Sequence, residues 1–330
     1  MKKYPLVIMI AFLLFLLAPT KVHPQKKKIL IIDSYHSSYP WTSACIKGLN
    51  EYIAPEYDKI YFDMDTKRIP QDQFKTKAKQ CMDIFHKEKP DLVITMDDNA
   101  LKYSGQRISA TGTPVVFMGI NQNPRIYFAK NKLPHNVTGI LERPLLKRSL
   151  LVLSKIYGSA NFLLMMDNGM TSQAIIETSL QGTDRINYNS CEMDLFTTDN
   201  FNDWKKKVLN LNTNKYKGII ICNYAAMRDE SGQHAAMNTV STWTSAHSKV
   251  PVYALWEYSL GKGKAVGGLV MSGYYQGKAA AEMANTILAT GRIPPVQIPS
   301  QGVLTFSKHE LSRWGILLPH ELSSRAKFVE

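Results

Sequence analysis

The feature that most constrains this 330-residue chain is a rhythm: short apolar runs alternate with stretches of helical spacing along most of its length. In the first part the runs are "KILIID" (28–33), "KIYFDMD" (59–65), "DLVITMD" (91–97) and "PVVFMGI" (114–120). Helical spacing fills 41–52, 71–87 and 99–111 between them. Strand and helix in strict turn imply right-handed crossovers and a parallel sheet. The runs are apolar throughout, as strands are when helices cover both faces of their sheet.

The rhythm then restarts. "NVTGILE" (136–142) leads into a helix at 145–157, and "NFLLMMD" (161–167) into one at 172–182. "CEMDLFTT" (191–198) precedes a helix at 201–211, "KGIIICN" (217–223) a helical region at 233–247, and "VPVYALW" (250–256) closes the series. No sequence repeat relates the two series; only their architecture recurs. The end of the chain differs. "GLVMSGYYQGKAAAEMANTILATGRIPP" (268–295) reads as a strand, a tight turn and an Ala-rich helix stopping at Gly291. "IPSQGVLTFSKHELSRWGILLP" (298–319) adds an extended piece and a short helix. Neither continues the second series alone, but a chain returning to the first lobe and back again uses both. The expected fold is α/β, with two doubly wound parallel-sheet lobes joined by a multi-segment hinge. Lobe 1 is expected from 26–140 plus 274–298, and lobe 2 from 141–273 plus 299–330.

The N-terminus reads as an address. Lys2 and Lys3 precede a nearly unbroken apolar run from Leu6 to Ala18, right for a secretory signal core and too short to span a bilayer. Residues 1–25 are expected to be a signal peptide cleaved between Ala18 and Lys26; a retained anchor is the alternative. No cysteine near the run offers a lipid acceptor. The expected product is periplasmic or secreted. Losing Lys2, Lys3 and Lys21 lowers the formal net charge of +13 by three. The remaining lysines are scattered, dense only in "QKKKIL" and "DWKKKVL", so the charge is surface chemistry and no nucleic-acid partner is expected.

Several segments carry a family likeness: "DSYHSSYPWT" (33–42), "PDLVITMDDNAL" (90–101), "PVVFMGIN" (114–121), "NVTGI" (136–140), "AVGGLVMSGYYQGKAAAEMANTIL" (265–288) and the closing "LSRWGILLP". Together they resemble the substrate-binding proteins of ABC-type transporters, with the type I periplasmic-binding fold. The resemblance covers nearly the whole chain after the signal. It implies a small-molecule ligand, since some members bind tryptophan or tyrosine, and it implies a membrane partner. Delivery to an ABC permease is the leading expectation; ligand-sensing input to a histidine kinase or similar membrane sensor is the alternative. Unlike kinase-linked members, no span or kinase segment follows "LSRWGILLP", and no lipid-acceptor cysteine is present as in anchored ones.

Ligands of open α/β sheets bind beyond the carboxyl ends of the strands. The first such loop holds Ser34, Tyr35, His36, Tyr39 and Trp41. The second, "MDDNA", holds Asp97, Asp98 and Asn99, where a helix cap uses one polar residue and the surplus carboxylate, Asp98, is expected to meet a ligand ammonium. The third, "GINQN", offers the amides of Asn121 and Gln122 after Gly119. The second lobe supplies Asp167 and Asn168, Asn223 and Tyr224, then Trp256 and Glu257. Tyr274 sits in the returning segment, and Trp41, Trp256, Tyr35 and Tyr274 are expected to form an aromatic clamp. The competing reading packs Trp41 beneath its helix and Trp256 into the hinge. A small polar ligand, amino-acid-like or bearing an unsaturated ring, follows.

No catalytic machine is legible. The chain has no G-x-S-x-G elbow, no H-E-x-x-H helix and no G-x-x-x-x-G-K-[ST] loop. "HELS" at 309 and 320 never reaches a second histidine, and "GKGKAVGG" (261–268) lacks phosphate-loop spacing. A non-enzymatic monomer without cofactor or metal is expected. The four cysteines, Cys45, Cys81, Cys191 and Cys222, show no metal or redox spacing. A first sheet of order 2-1-3-4-5 would put Cys45 and Cys81 on opposite faces, and the first strand of the second lobe would separate Cys191 from Cys222. Four free thiols are expected, because bridged cysteines need Cα atoms within about 7 Å.

Overall fold

The computed structural model describes residues 26–298 and 302–330, so the expected signal peptide lies outside the described residues. Five strands form the first sheet: β1 (Lys28–Asp33), β2 (Asp58–Asp63), β3 (Leu92–Met96), β4 (Val115–Ile120) and β5 (Val137–Leu141). They are parallel throughout, in the order β2-β1-β3-β4-β5. Side-chain alternation along β1 explains its unbroken apolar run. Ile29 and Ile31 join the core on one face, and Leu30 and Ile32 the core on the other. Helix α1 (Pro40–Tyr52) covers the first of these faces; α2 (Phe74–Glu88) and the helix at 97–109, called α3, cover the second. A π-helical turn at Leu101–Gly105 interrupts α3.

β5 closes this sheet. The reading of "NVTGILE" as the opening of the second series is therefore corrected: Val115 of β4 pairs with Val137, and only beyond Leu141 does the chain leave the layer. It enters α4 (Leu146–Tyr157) and an eight-stranded second sheet of order β13-β12-β11-β10-β9-β6-β8-β7. Those strands are β6 (Ala160–Met166), β7 (Arg185–Tyr188), β8 (Cys191–Thr197), β9 (Tyr216–Ile221), β10 (Val252–Ala254), β11 (Gly267–Val270), β12 (Val303–Ser307) and β13 (Lys327–Val329). This sheet is mixed rather than wholly parallel. β7 pairs antiparallel with β8 across a tight turn at Asn189, and β12 runs antiparallel to β11.

After β11 the chain returns to the first layer as α8 (Gly273–Thr290), which lies along α1 and over β4 and β5. The approach is close enough that a Cβ on Gly277 would collide with the backbone oxygen of Cys45, and one on Gly48 with that of Tyr274. Glycines at these facing positions let the two backbones touch. Helix α5 (Met170–Thr178) follows β6, α6 (Phe201–Leu209) follows β8, and α7 (Met237–His247) lies between β9 and β10. Cys45 on α1 and Cys81 on α2 are on opposite sides of the first sheet, and β6 lies between β8, which carries Cys191, and β9, which Cys222 follows. All four thiols are free and buried.

Candidate functional site

The carboxyl ends of the two sheets face each other and enclose a small chamber of about 20 Å³, room for about one water. From the first sheet come Tyr35, Tyr39 and Trp41 after β1, Asp97 after β3 and Asn121 after β4. Lys67 follows β2 and Glu142 follows β5. The second sheet contributes Thr171, Asn223, Trp256 and Tyr258. A larger cleft of about 980 Å³ opens from it, sharing Tyr35, Tyr39, Lys67, Thr171 and Asn223 with the chamber.

Asp97 is the most unusual of these groups. It opens α3 with φ +65°, a left-handed conformation that costs an L-residue energy and concentrates at functional positions. Its side chain is buried and Oδ2 has no hydrogen-bond partner among the described residues. Gly119 (φ +69°) makes room: a Cβ there would lie 3.1 Å from Asp97 Oδ1 and 3.5 Å from Trp41 Nε1. Burial raises the Asp97 carboxyl well above its usual range, and Glu142, Asp33 and Asp98 push it further, with Lys67 opposing.

Glu142 is held from both sides. Trp256 Nε1 donates to Oε1 at 2.6 Å and Asn121 Nδ2 to Oε2 at 2.9 Å. Burial pushes this carboxyl up to about 7 against those two bonds. The Asn121 amide is oriented by the same contacts, since its NH₂ group faces Glu142 and the Gly119 carbonyl. Its Oδ1 is therefore left as a buried acceptor without a donor. Lys67 places its ammonium 4.3 Å from the Tyr35 ring centroid and 5.0 Å from that of Tyr39, a cation–π arrangement at the junction of chamber and cleft. Burial lowers its pKa, with Asp167 and Asp97 opposing.

The other residues expected here are placed elsewhere. Asp98 does not line the chamber: its carboxylate accepts the backbone N–H groups of Asn121 and Gln122 and the Tyr127 hydroxyl. Ser34 is engaged with the Met96 carbonyl and the Ala100 amide, tying β1 to α3. Asn99 donates to Thr66 and, with His36, borders the outer cleft. Asp167 collects Asn223, Ser172 and the amides of Gly169 and Ala226, an interlocking of second-lobe loops. Tyr224 is a core residue bonded to Ser259, whereas Asn168 and Glu257 are exposed. Tyr274 packs against Tyr52 on the α1–α8 surface, so in the aromatic wall Tyr39 and Tyr258 stand where Tyr274 was expected.

Sequence reading missed Lys67, Glu142, Thr171 and Tyr258. Lys67 was within reach of the strand-end rule, since "MDTK" directly follows β2. Glu142 was hidden by reading its strand as the opening of the second series. Among the described residues, no group of three or more His, Cys, Asp or Glu side chains is arranged to hold a metal ion.

No family model matches this sequence, and no curated protein matches it. Solved structures do match its fold. An ABC domain in complex with L-Trp from Streptococcus pneumoniae superposes with TM-score 0.65 at 19% identity, covering 92% of this chain and 100% of that one. The ligand-free, open structure of a substrate-binding protein with adhesive properties from Clostridium difficile gives 0.61 at 17%, covering 92% and 99%. An ABC transporter solute-binding protein from Bacillus halodurans with bound myo-inositol gives 0.51 at 12%, covering 87% and 96%. At such identities the likeness establishes the two-lobed fold.

Proposed function

We propose that the protein is an extracytoplasmic solute-binding protein that closes its lobes on a small polar, amino-acid-like ligand and delivers it to an ABC permease. The observation that carries this reading is the chamber itself. Aromatic rings from both lobes wall it, and two of its lining residues, Asp97 and Asn121, each carry a buried acceptor oxygen without a donor. Groups of that kind cost stability in an empty protein and are recovered when a ligand supplies the missing partners. The neighbours with L-Trp and myo-inositol support the same use of the fold. Residues 1–25 act as the export signal, supported by the Leu6–Ala18 run. Among the described residues no helix is long and apolar enough to cross a membrane. The segments after β5, after β11 and after α8 form the hinge between 26–140 with 274–298 and 141–273 with 299–330.

Binding without turnover is the expected chemistry. Purified protein screened by thermal shift against amino acids, purines, sugars and organic acids should show a raised melting temperature with one class. A hundredfold excess over Kd adds roughly 2.7 kcal/mol. Mass spectrometry after prolonged incubation should return the compound unchanged. No stabilisation by any class, or a recovered product, would overturn the proposal.

A further inference from the structure

A separate cavity of about 710 Å³ lies at the hinge, and no described residue lines both it and the chamber or the outer cleft. We infer that it is a second ligand site, for a small apolar carboxylate: a hydrocarbon chain or ring rests on its floor, and one carboxylate meets the Arg325 guanidinium. This site stands whether or not the chamber binds a solute.

The floor is apolar. Ile140 of β5, Leu269 of β11 and Met271 just beyond it are buried and line the cavity. One wall is α4, where Arg148, Leu151 and Lys155 recur at spacings of three and four and so share a face. Another is the start of α8, with Tyr275. α4 belongs to the second lobe and α8 packs on the first, so an occupant touching both walls ties the lobes together. Leu151, Tyr275 and Ile298 are large apolar side chains left exposed, and all three line this one cavity. Scattered singly they would need no explanation; gathered in a concavity of small-molecule size they mark a binding site. Gln276, also in the lining, is already engaged, accepting the Gly119 amide and donating to the Leu141 carbonyl.

Charge decides the sign of the ligand. Arg148, Lys155 and Arg325 line the cavity, and among the described residues no Asp or Glu does. Lys327 adds a further cation, 5.9 Å from the Tyr275 ring centroid. Glu321 pairs with Lys155 and answers one of these charges. The Arg325 side chain, by contrast, makes no hydrogen bond or ion pair among the described residues. A guanidinium presents a planar fork of donors that a carboxylate matches with two parallel hydrogen bonds. One unengaged guanidinium beside an apolar floor therefore suits one carboxylate on an apolar body, and the surrounding positive charge repels an ammonium.

The test titrates the wild-type protein by calorimetry with octanoate and 3-phenylpropionate, a chain and a ring probe. Acetate lacks the apolar body, octylamine reverses the charge and 1-octanol removes it. At least one of the two carboxylates should bind, one molecule per protein. Acetate and octylamine should not bind, and octanol should be weaker than octanoate by roughly 10-fold or more, the effect of losing a charged hydrogen bond. Arg325 and Leu151 are exposed, so Arg325→Glu and Leu151→Glu should fold, which an unchanged urea midpoint verifies. Each variant brings a like charge to the carboxylate and should weaken it by roughly 10-fold or more. Failure of both carboxylates to bind, uptake of several molecules per protein, or binding unchanged in either variant overturns the inference. So does octylamine or octanol binding as tightly as octanoate. Association with phosphatidylglycerol vesicles without uptake of either free carboxylate would make this face a membrane contact and also overturns it.

Discussion

Replacing Trp256 with Phe probes the electrostatics on which the chamber depends. Trp256 Nε1 donates to Glu142 Oε1 at 2.6 Å, joining a residue beyond β10 to one just beyond β5, and both side chains are 3% exposed. Phenylalanine keeps a ring but removes the donor, and water has little access to replace it. Losing a hydrogen bond to an ionised group costs about 1.5–3 kcal/mol, and the lost indole volume adds roughly 1 kcal/mol. Glu142 has its folded pKa raised to about 7 from 4.5, so its contribution to stability is fully present below the unfolded value and is lost as pH rises through about 7. The indole opposes that rise by favouring the carboxylate. Its removal therefore hurts most where Glu142 must ionise. Urea unfolding should show Trp256→Phe destabilised by about 2.5–4 kcal/mol at pH 8, and at pH 5, where the lost bond is to a neutral carboxyl, by about 1.5–2.5 kcal/mol, with unchanged slope. Asp33, also raised to about 7 by burial, adds the same pH trend to both proteins and cancels in the difference. Equal destabilisation at the two pH values would refute the reasoning.

Three further outcomes are expected. Asp97→Gly relieves the left-handed backbone and the unpartnered buried carboxyl, so the ligand-free protein should gain about 1 kcal/mol in denaturant unfolding; a loss of stability would contradict the strain assignment. Lys67→Met removes the cation at the junction of chamber and cleft, and should weaken aromatic α-amino acids in calorimetry about 10-fold while leaving the corresponding amines within about 2-fold; equal loss for both would deny Lys67 a role toward the carboxylate. Alkylation in denaturant without reductant should add four labels by intact mass, since sheet order keeps the cysteines apart; two labels or none would contradict the topology.

The alternation of strand and helix was legible because a strand covered on both faces is apolar through its middle, as Ile29–Ile32 of β1 and Leu92–Ile94 of β3 are. The doubly wound pattern with right-handed crossovers then supplied the order β2-β1-β3-β4 and the loops gathered at the strand ends. Sheet membership of β5 was not legible, since an apolar strand carries no mark of which sheet it joins. With it went Glu142, whose place in the chamber depends on that assignment. The choice between Asp97 and Asp98 was likewise tertiary. Adjacent carboxylates look alike in sequence, but φ +65° at Asp97 and the waiting amides of Asn121 and Gln122 send one toward the chamber and hold the other away. Tyr274 shows the same limit: on α8 the face bearing Gln276 and Gly277 turns to the first lobe, leaving Tyr274 against Tyr52. Sequence carries what is local and periodic. Which side chains converge on one small space is decided by packing between segments far apart in the chain.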